Sequence, residues 1–213
     1  MTTEDGPEAL VRAARAAGVH DVRVLAAMRA TPRAKFVPAA HRALAYIDEP
    51  VPINHGQVTT QPSLVARMVA GVAPAADERV LEVGTGLGFQ TALLAHLAAE
   101  VISVELWPDV AWQAQANLAR HGVDNAEVRT GDGSRGAADR APFGAIVVSA
   151  AFPEVPQPLA EQLGAGGRLV QPIGPGGQEE VTLFRAGERG VARQVVLALA
   201  SFVPLHGAYG FPA

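Results

Sequence analysis

The sequence predicts an α/β doubly wound domain, a mostly parallel sheet with helices on both faces. Three observations point there. Apolar runs of strand length alternate along the chain with stripes of helical period. At one strand-to-helix junction, Arg79 to Ala92, the glycines Gly84, Gly86 and Gly88 are spaced by single residues in a tight turn. The run Phe143-Gly144-Ala145-Ile146-Val147-Val148-Ser149-Ala150 is almost wholly apolar, as a central strand covered on both faces must be.

Composition narrows the class. With 213 residues, 49% of them hydrophobic and 18% charged, the chain can bury one sizeable core, so one catalytic domain over 1–213 is expected. A net charge of -4 and the lack of any basic run give no electrostatic footprint for nucleic acid or an anionic membrane. The lead Met1-Thr2-Thr3-Glu4-Asp5-Gly6 is polar and acidic where a signal peptide would be basic and then apolar, and no apolar run reaches spanning length. A cytoplasmic protein is expected. There is no cysteine, and none of the six histidines falls in a metal-ligand spacing, so no metal is expected.

Taken in order, residues 1–60 form a helical and extended cover and 61–213 the sheet core. Two short helices open the chain, Glu8 to Ala17 ended by Gly18 and a second with Asp21 as N-cap, Leu25 and Met28 sharing a face. Prolines 32, 38, 50 and 52 then predict extended chain crossing the surface. Thr60 has two readings that do not exclude each other. It can cap the helix that begins near Pro62 and carries Leu64, Met68 and Val72 on one stripe. Its hydroxyl can also hold an anionic substrate at that helix N-terminus.

The glycine turn follows the strand Arg79 to Val83 and opens a helix bearing Leu93, Leu94 and Leu97. Without Cβ atoms it lets a ligand approach the backbone, with the free N–H groups of the helix pointing at it. A dinucleotide fingerprint needs Gly-x-Gly-x-x-Gly, but the third glycine comes one residue early and Phe89 stands in its place, which weakens a reading for NAD. The second strand, Val101 to Glu105, ends in a carboxylate whose two oxygens suit both hydroxyls of a ribose, against the alternative of a solvated strand-end charge. Pro108 and Asp109 open the next helix, Val110, Ala114 and Leu118 line its inner face and Gly122 stops it; Trp107 and Trp112 read as packing residues.

The third strand runs into Gly131-Asp132-Gly133. This is either an ordinary Asp-Gly turn or one whose backbone touches an adenine while Asp132 accepts from its exocyclic amine, and the two adenosine-directed features before it favour the second. A helix from Pro153 to Leu163 ended by Gly164, a fifth strand at Arg168 to Val170, a turn at Gly174 to Gly177, and an antiparallel pair at the sheet edge around Gly187 to Gly190 complete the chain.

Pro50 to Pro62, the glycine stretch, Gly131-Asp132-Gly133, Ala150-Ala151-Phe152-Pro153-Glu154-Val155-Pro156, Gly166 to Val170 and Phe202-Val203-Pro204-Leu205 together resemble the protein-L-isoaspartate O-methyltransferases over nearly the whole chain. The resemblance implies a Rossmann-like class I methyltransferase fold, its last two strands exchanged, with S-adenosylmethionine as cofactor. It implies Glu82, Gly84, Thr85, Gly86, Gly88, Glu105, Leu106, Asp132 and Gly133 as cofactor-binding residues and Thr60 as the catalytic one. The reaction implied is methylation of the free carboxyl of isoaspartyl residues in damaged proteins or peptides by a monomer, followed by succinimide formation.

Departures bear on substrate choice. Thr59-Thr60 replaces the usual Ile-Ser, Leu87 and Phe89 replace serine and tyrosine, Asn54 replaces glycine, and Ser63 stands where an aromatic or histidine is common. The chemistry asks little of side chains: an exposed carboxyl titrates near ~4, so the nucleophile is already ionised and needs positioning and desolvation rather than a base. Two rival readings are a tailoring carboxyl methyltransferase acting on an aspartate of a dedicated peptide or metabolite, and a non-catalytic adenosine-binding protein. The Gly84, Glu105 and Asp132 set with a retained hydroxyl argues against the second.

Overall fold

A seven-stranded sheet carries the chain, and alternate residues of its strands feed two separate cores. The structure, a computed structural model, describes residues 6–187 and 190–212; Met1 to Asp5, Glu188, Arg189 and Ala213 lie outside them. Strands β3 (Arg79–Val83), β4 (Glu100–Glu105), β5 (Ala126–Thr130), β6 (Phe143–Val148), β7 (Leu163–Ile173), β8 (Glu179–Gly187) and β9 (Gly190–Ala200) pair in the order β5-β4-β3-β6-β7-β8-β9. The first five are parallel, and β8 and β9 join antiparallel in chain order at the edge, as the resemblance implied. Val80, Val101, Ala145, Val147 and Val170 face one core, whereas Leu81, Val83, Ile102, Val104, Ile146, Val148 and Leu169 face the other. That is the period of two expected of strands buried on both sides.

Helices α1 (Gly6–Ala16), α2 (Val22–Ala30), α3 (Pro62–Val72), α4 (Phe89–Ala95) and α5 (Pro108–His121) bury Leu10, Leu25, Met28, Met68, Leu93 and Leu118 in the first core. Asp21 caps α2 through Arg23 N–H, and α5 ends on a left-handed Gly122, both as expected. On the second face α6 (Gln157–Glu161) contributes Leu159. This helix is shorter than expected, because Ala151 and Phe152 bridge to Pro204 and Ile173 and Pro156 caps it; β7 has already begun before Gly164.

The proline-rich stretch also differs from the expected extended chain. Pro32 and Pro38 each open a 3-10 turn, at Arg33–Lys35 and Ala39–Leu44, since a fixed φ suits the residue that starts a tight turn. The chain then forms a small hairpin, β1 (Val51–Pro52) with β2 (Val58–Thr59). It does not merely cross the surface, for Arg33, Phe36 and Ala45 are fully buried. Among the described residues no helix is long and apolar enough to cross a membrane.

Candidate active site

The carboxyl ends of β3, β4 and β6 open into a cleft whose far wall is the β1–β2 hairpin. Thr60, Gly84, Thr85, Gly86, Glu105, Leu106 and Gly133 all line it, which brings seven of the residues singled out from the sequence together. This is the place where an open parallel sheet binds ligands. Gly86 sits at φ +54, and nothing lies within 4 Å of where a Cβ would stand, so it needs glycine for its backbone conformation and leaves the turn open to a ligand.

Glu105 is 7% exposed, and its two carboxylate oxygens accept from Gly86 N–H (2.9 Å) and Trp107 N–H (3.1 Å). Burial pushes its carboxyl above the ordinary value, against the pull of the backbone donors Gly86, Trp107 and Leu106. Each oxygen retains acceptor capacity for a ligand hydroxyl. Thr85 lines the cleft too, its hydroxyl engaged with Ser103 at 2.5 Å.

Three expected cofactor residues do not line the cleft. Glu82 is fully buried beneath the first turn of α4, which folds back over β3, and accepts from Gln90 Nε2 (2.9 Å), Thr91 Oγ1 (2.5 Å) and Ser103 Oγ (2.6 Å). Gly88, at φ +93, also needs glycine for its backbone conformation, and a Cβ there would press to 3.2 Å on the Leu118 side chain of α5. Asp132 spends Oδ1 on the N–H and hydroxyl of Ser134 and Oδ2 on Ala208 N–H (2.8 Å), so it fastens the C-terminal segment to the turn while its neighbour Gly133 faces the cleft. Burial alone would raise the Asp132 carboxyl, but these donors and Arg135 outweigh it and hold the carboxyl below its ordinary value.

Thr60 lines the cleft and does not cap α3. The N-cap is Gln61, and the capping acceptor comes from Asp48, which takes Ser63 N–H at 2.8 Å and Gln61 Nε2 at 2.9 Å. The two tryptophans part company. Trp112 is 71% exposed, and Trp107 forms cleft wall with its ring stacked on His55.

Two further cleft residues, Gln90 and Ser149, escape a reading of the sequence. Gln90 donates its amide N–H groups to Glu82 and to Ser149 Oγ (3.1 Å), which leaves Oε1 a buried acceptor without a partner in a residue that lines the cleft. With Nε2 toward Glu82 the amide serves the ionised carboxylate, which can only accept. The signal available in the sequence is a polar residue at the start of an otherwise apolar helix. Among the described residues, no group of three or more His, Asp or Glu side chains could hold a metal ion.

Burial pushes the Glu82 carboxyl up to about 7, with its three hydrogen-bond donors only partly opposing. The folded state therefore binds the proton more tightly than the unfolded chain. This contribution is complete below about pH 4.5 and is lost as pH rises to about 7. Glu82→Gln should remove it, since its oxygen can serve Thr91 and Ser103 while the Gln90 amide turns its free Oε1 to the new NH₂. Urea unfolding at pH 5 and pH 7.5 should show about 2 kcal/mol less pH dependence in the variant than in the wild type. Equal pH dependence in the two proteins would place the titration elsewhere.

The profile of the protein-L-isoaspartate(D-aspartate) O-methyltransferase family matches residues 5–210. A protein-L-isoaspartate O-methyltransferase of Methanoculleus marisnigri is 50% identical over 197 residues, covering 92% of this chain and 89% of the relative. One of Myxococcus xanthus is 47% identical over 193 residues, covering 89% and 91%. A solved protein-L-isoaspartate O-methyltransferase superimposes with a TM-score of 0.83 at 26% identity, over 96% of this chain and 67% of that one. A Plasmodium falciparum structure described as a putative protein-L-isoaspartate O-methyltransferase, in complex with S-adenosyl-L-homocysteine, agrees in fold with a TM-score of 0.78 at 22% identity, over 94% and 98%. With a matching profile over nearly its whole length and relatives this similar, the chain belongs to the protein-L-isoaspartate(D-aspartate) O-methyltransferase family.

Proposed function

We propose that this protein, a single-domain cytoplasmic monomer, methylates the free carboxyl of L-isoaspartyl residues in damaged proteins or peptides with S-adenosylmethionine as donor. One observation carries the site assignment: the cleft sets Glu105 and Gln90, two buried side chains with acceptor capacity to spare, on its sheet side and Thr60 on its hairpin side. This donor and acceptor set fits the cofactor. Glu105 would accept from the two ribose hydroxyls, the Gly133 backbone would meet the adenine, and Gln90 Oε1 would accept from the ammonium of the amino-acid tail.

When bound, the cofactor supplies an activated methyl group on a sulfonium. The chain supplies position and dryness. The substrate carboxylate titrates near ~4 and arrives ionised, so no residue has to remove a proton. Thr60 donates its hydroxyl hydrogen to that carboxylate and fixes its approach. The hairpin excludes water, so the carboxylate loses hydration and the hydrogen bonds that replace it strengthen. The methyl ester is then lost to the neighbouring backbone nitrogen as a succinimide with no further demand on the protein.

The test is transfer of a labelled methyl group to an isoaspartyl peptide beside its aspartyl isomer. Base-labile label on the isoaspartyl peptide alone is expected. Equal labelling of both isomers would favour the tailoring role, and labelling of neither would remove the repair function.

A further inference from the structure

We propose that the tip of the β1–β2 hairpin is a latch that shuts the cofactor cleft and limits how fast spent cofactor leaves, with Asn54 and His55 as its positioning residues. The inference rests on the cofactor reading above and goes beyond it. The two walls it joins are distinct pieces of chain. Ile53, Val58 and Thr60 belong to the hairpin, whereas Leu106, Trp107 and Val110 belong to the β4–α5 junction, and all six line the cleft.

The tip bridges them through side-chain contacts. The His55 ring lies flat on Trp107, with centroids 4.0 Å apart and planes 2° from parallel. His55 Nε2 meets Asp109 Oδ1 at 2.7 Å, and Asn54 Nδ2 donates to Asp109 Oδ2 at 3.0 Å. Both oxygens of one carboxylate are thus taken by adjacent residues of the tip. The Asn54 amide first, and then His55, hold the Asp109 carboxyl below its ordinary value, so it stays an acceptor.

The backbone is shaped for this grip. His55 adopts φ 59 and ψ 28, a left-handed conformation unfavourable for a residue with a Cβ, and its contacts to Trp107 and Asp109 offset that cost. The latch is also weak enough to open. The side chains of His55 and Asp109 are 33% and 50% exposed, so solvent screens their attraction, and the hairpin itself has two residues per strand. A firmer closure would trap the spent cofactor. Release of product is a common limit on turnover where a loop covers the site.

Trp107 is a built-in reporter. In a Trp112→Phe background it is the only tryptophan, and stopped-flow emission can follow S-adenosylhomocysteine binding to the full chain. His55→Ala and Asp109→Ala should each raise both the association and the dissociation rate, the latter roughly tenfold, which corresponds to losing a contact set of ordinary strength. The dissociation constant should move less than either rate. A faster dissociation matched by an equal loss of affinity, with association unchanged, would make the tip a simple wall contact and overturn the proposal. Unchanged rates would overturn it too. Acrylamide quenching of the ligand-free protein separates the latch from the cofactor reading: His55→Ala should expose Trp107 to the quencher, and unchanged quenching means the tip is not latched. Loss of the cofactor reading alone would appear as wild type that binds no S-adenosylhomocysteine, which ends the gating role while the quenching result still judges the latch.

Discussion

Thr60→Asp is expected to abolish methyl transfer in a protein that unfolds at the wild-type temperature. The two halves of that expectation have separate causes. Thr60 makes no capping bond, because the N-cap of α3 is Gln61 and its capping acceptor comes from Asp48, so substitutions at position 60 spare the roughly 1 kcal/mol that loss of an N-cap would cost. Thr60 does line the cleft, and aspartate there sets a negative charge beside the substrate carboxylate, where like charges repel and desolvation magnifies the effect. Thr60→Ala, which removes only a donor, should lower turnover by a factor on the order of 10². Thr60→Ser restores the donor and should keep most of the activity. Melting curves and initial rates on an isoaspartyl peptide check all three, and near-wild-type turnover by Thr60→Asp would remove Thr60 from the substrate site.

What can be read from the sequence is whatever depends on neighbours along the chain. The apolar run Phe143 to Ala150 becomes the central strand β6, and Gly84, Gly86, Glu105 and Gly133 reach the cleft because each lies at or just beyond the end of a parallel strand. Partners that lie far along the chain are invisible to spacing alone. Asp48 displaces Thr60 as the cap of α3 from 15 positions before Ser63, which no local cap pattern records. Glu82 looks ligand-directed beside the glycines, but α4 folds back and gives it Gln90 and Thr91 as donors. Asp132 sits in the expected turn, yet it also fastens Ser134 and, 76 positions onward, Ala208. Tertiary hydrogen bonds decide which polar groups remain for a ligand, and sequence spacing carries no trace of them.

Arg33 is the strongest case of such a hidden role, and its replacement carries the second large effect. It stands in a proline-rich stretch that reads as surface chain, yet it is 0% exposed. Its guanidinium donates to the carbonyls of Ile47 (3.0 Å) and Glu49 (2.9 Å) and to Thr59 Oγ1 (2.9 Å), which also accepts Val51 N–H. Burial lowers its pKa to about 10, with the charge of Asp48 opposing, so it is still protonated at neutral pH. Among the described residues it makes no salt bridge; it is a cation whose donors knit residues 45–59 into the wall that ends at Thr60. Arg33→Leu relieves the cost of burying a charge but strands several acceptors at about 1–3 kcal/mol each. A net loss of about 3 kcal/mol is expected, a large share of the roughly 5–15 kcal/mol typical of a domain. Arg33→Lys should rescue little, because one ammonium cannot span acceptors arranged for a planar fork. The hairpin should loosen before the sheet does, so Val51 N–H should exchange with solvent faster in Arg33→Leu, and turnover should fall further than the folded fraction. Urea unfolding and amide exchange measure the two effects separately. A variant that loses less than about 1 kcal/mol and keeps Val51 protected would show that the hairpin stands without its buried cation.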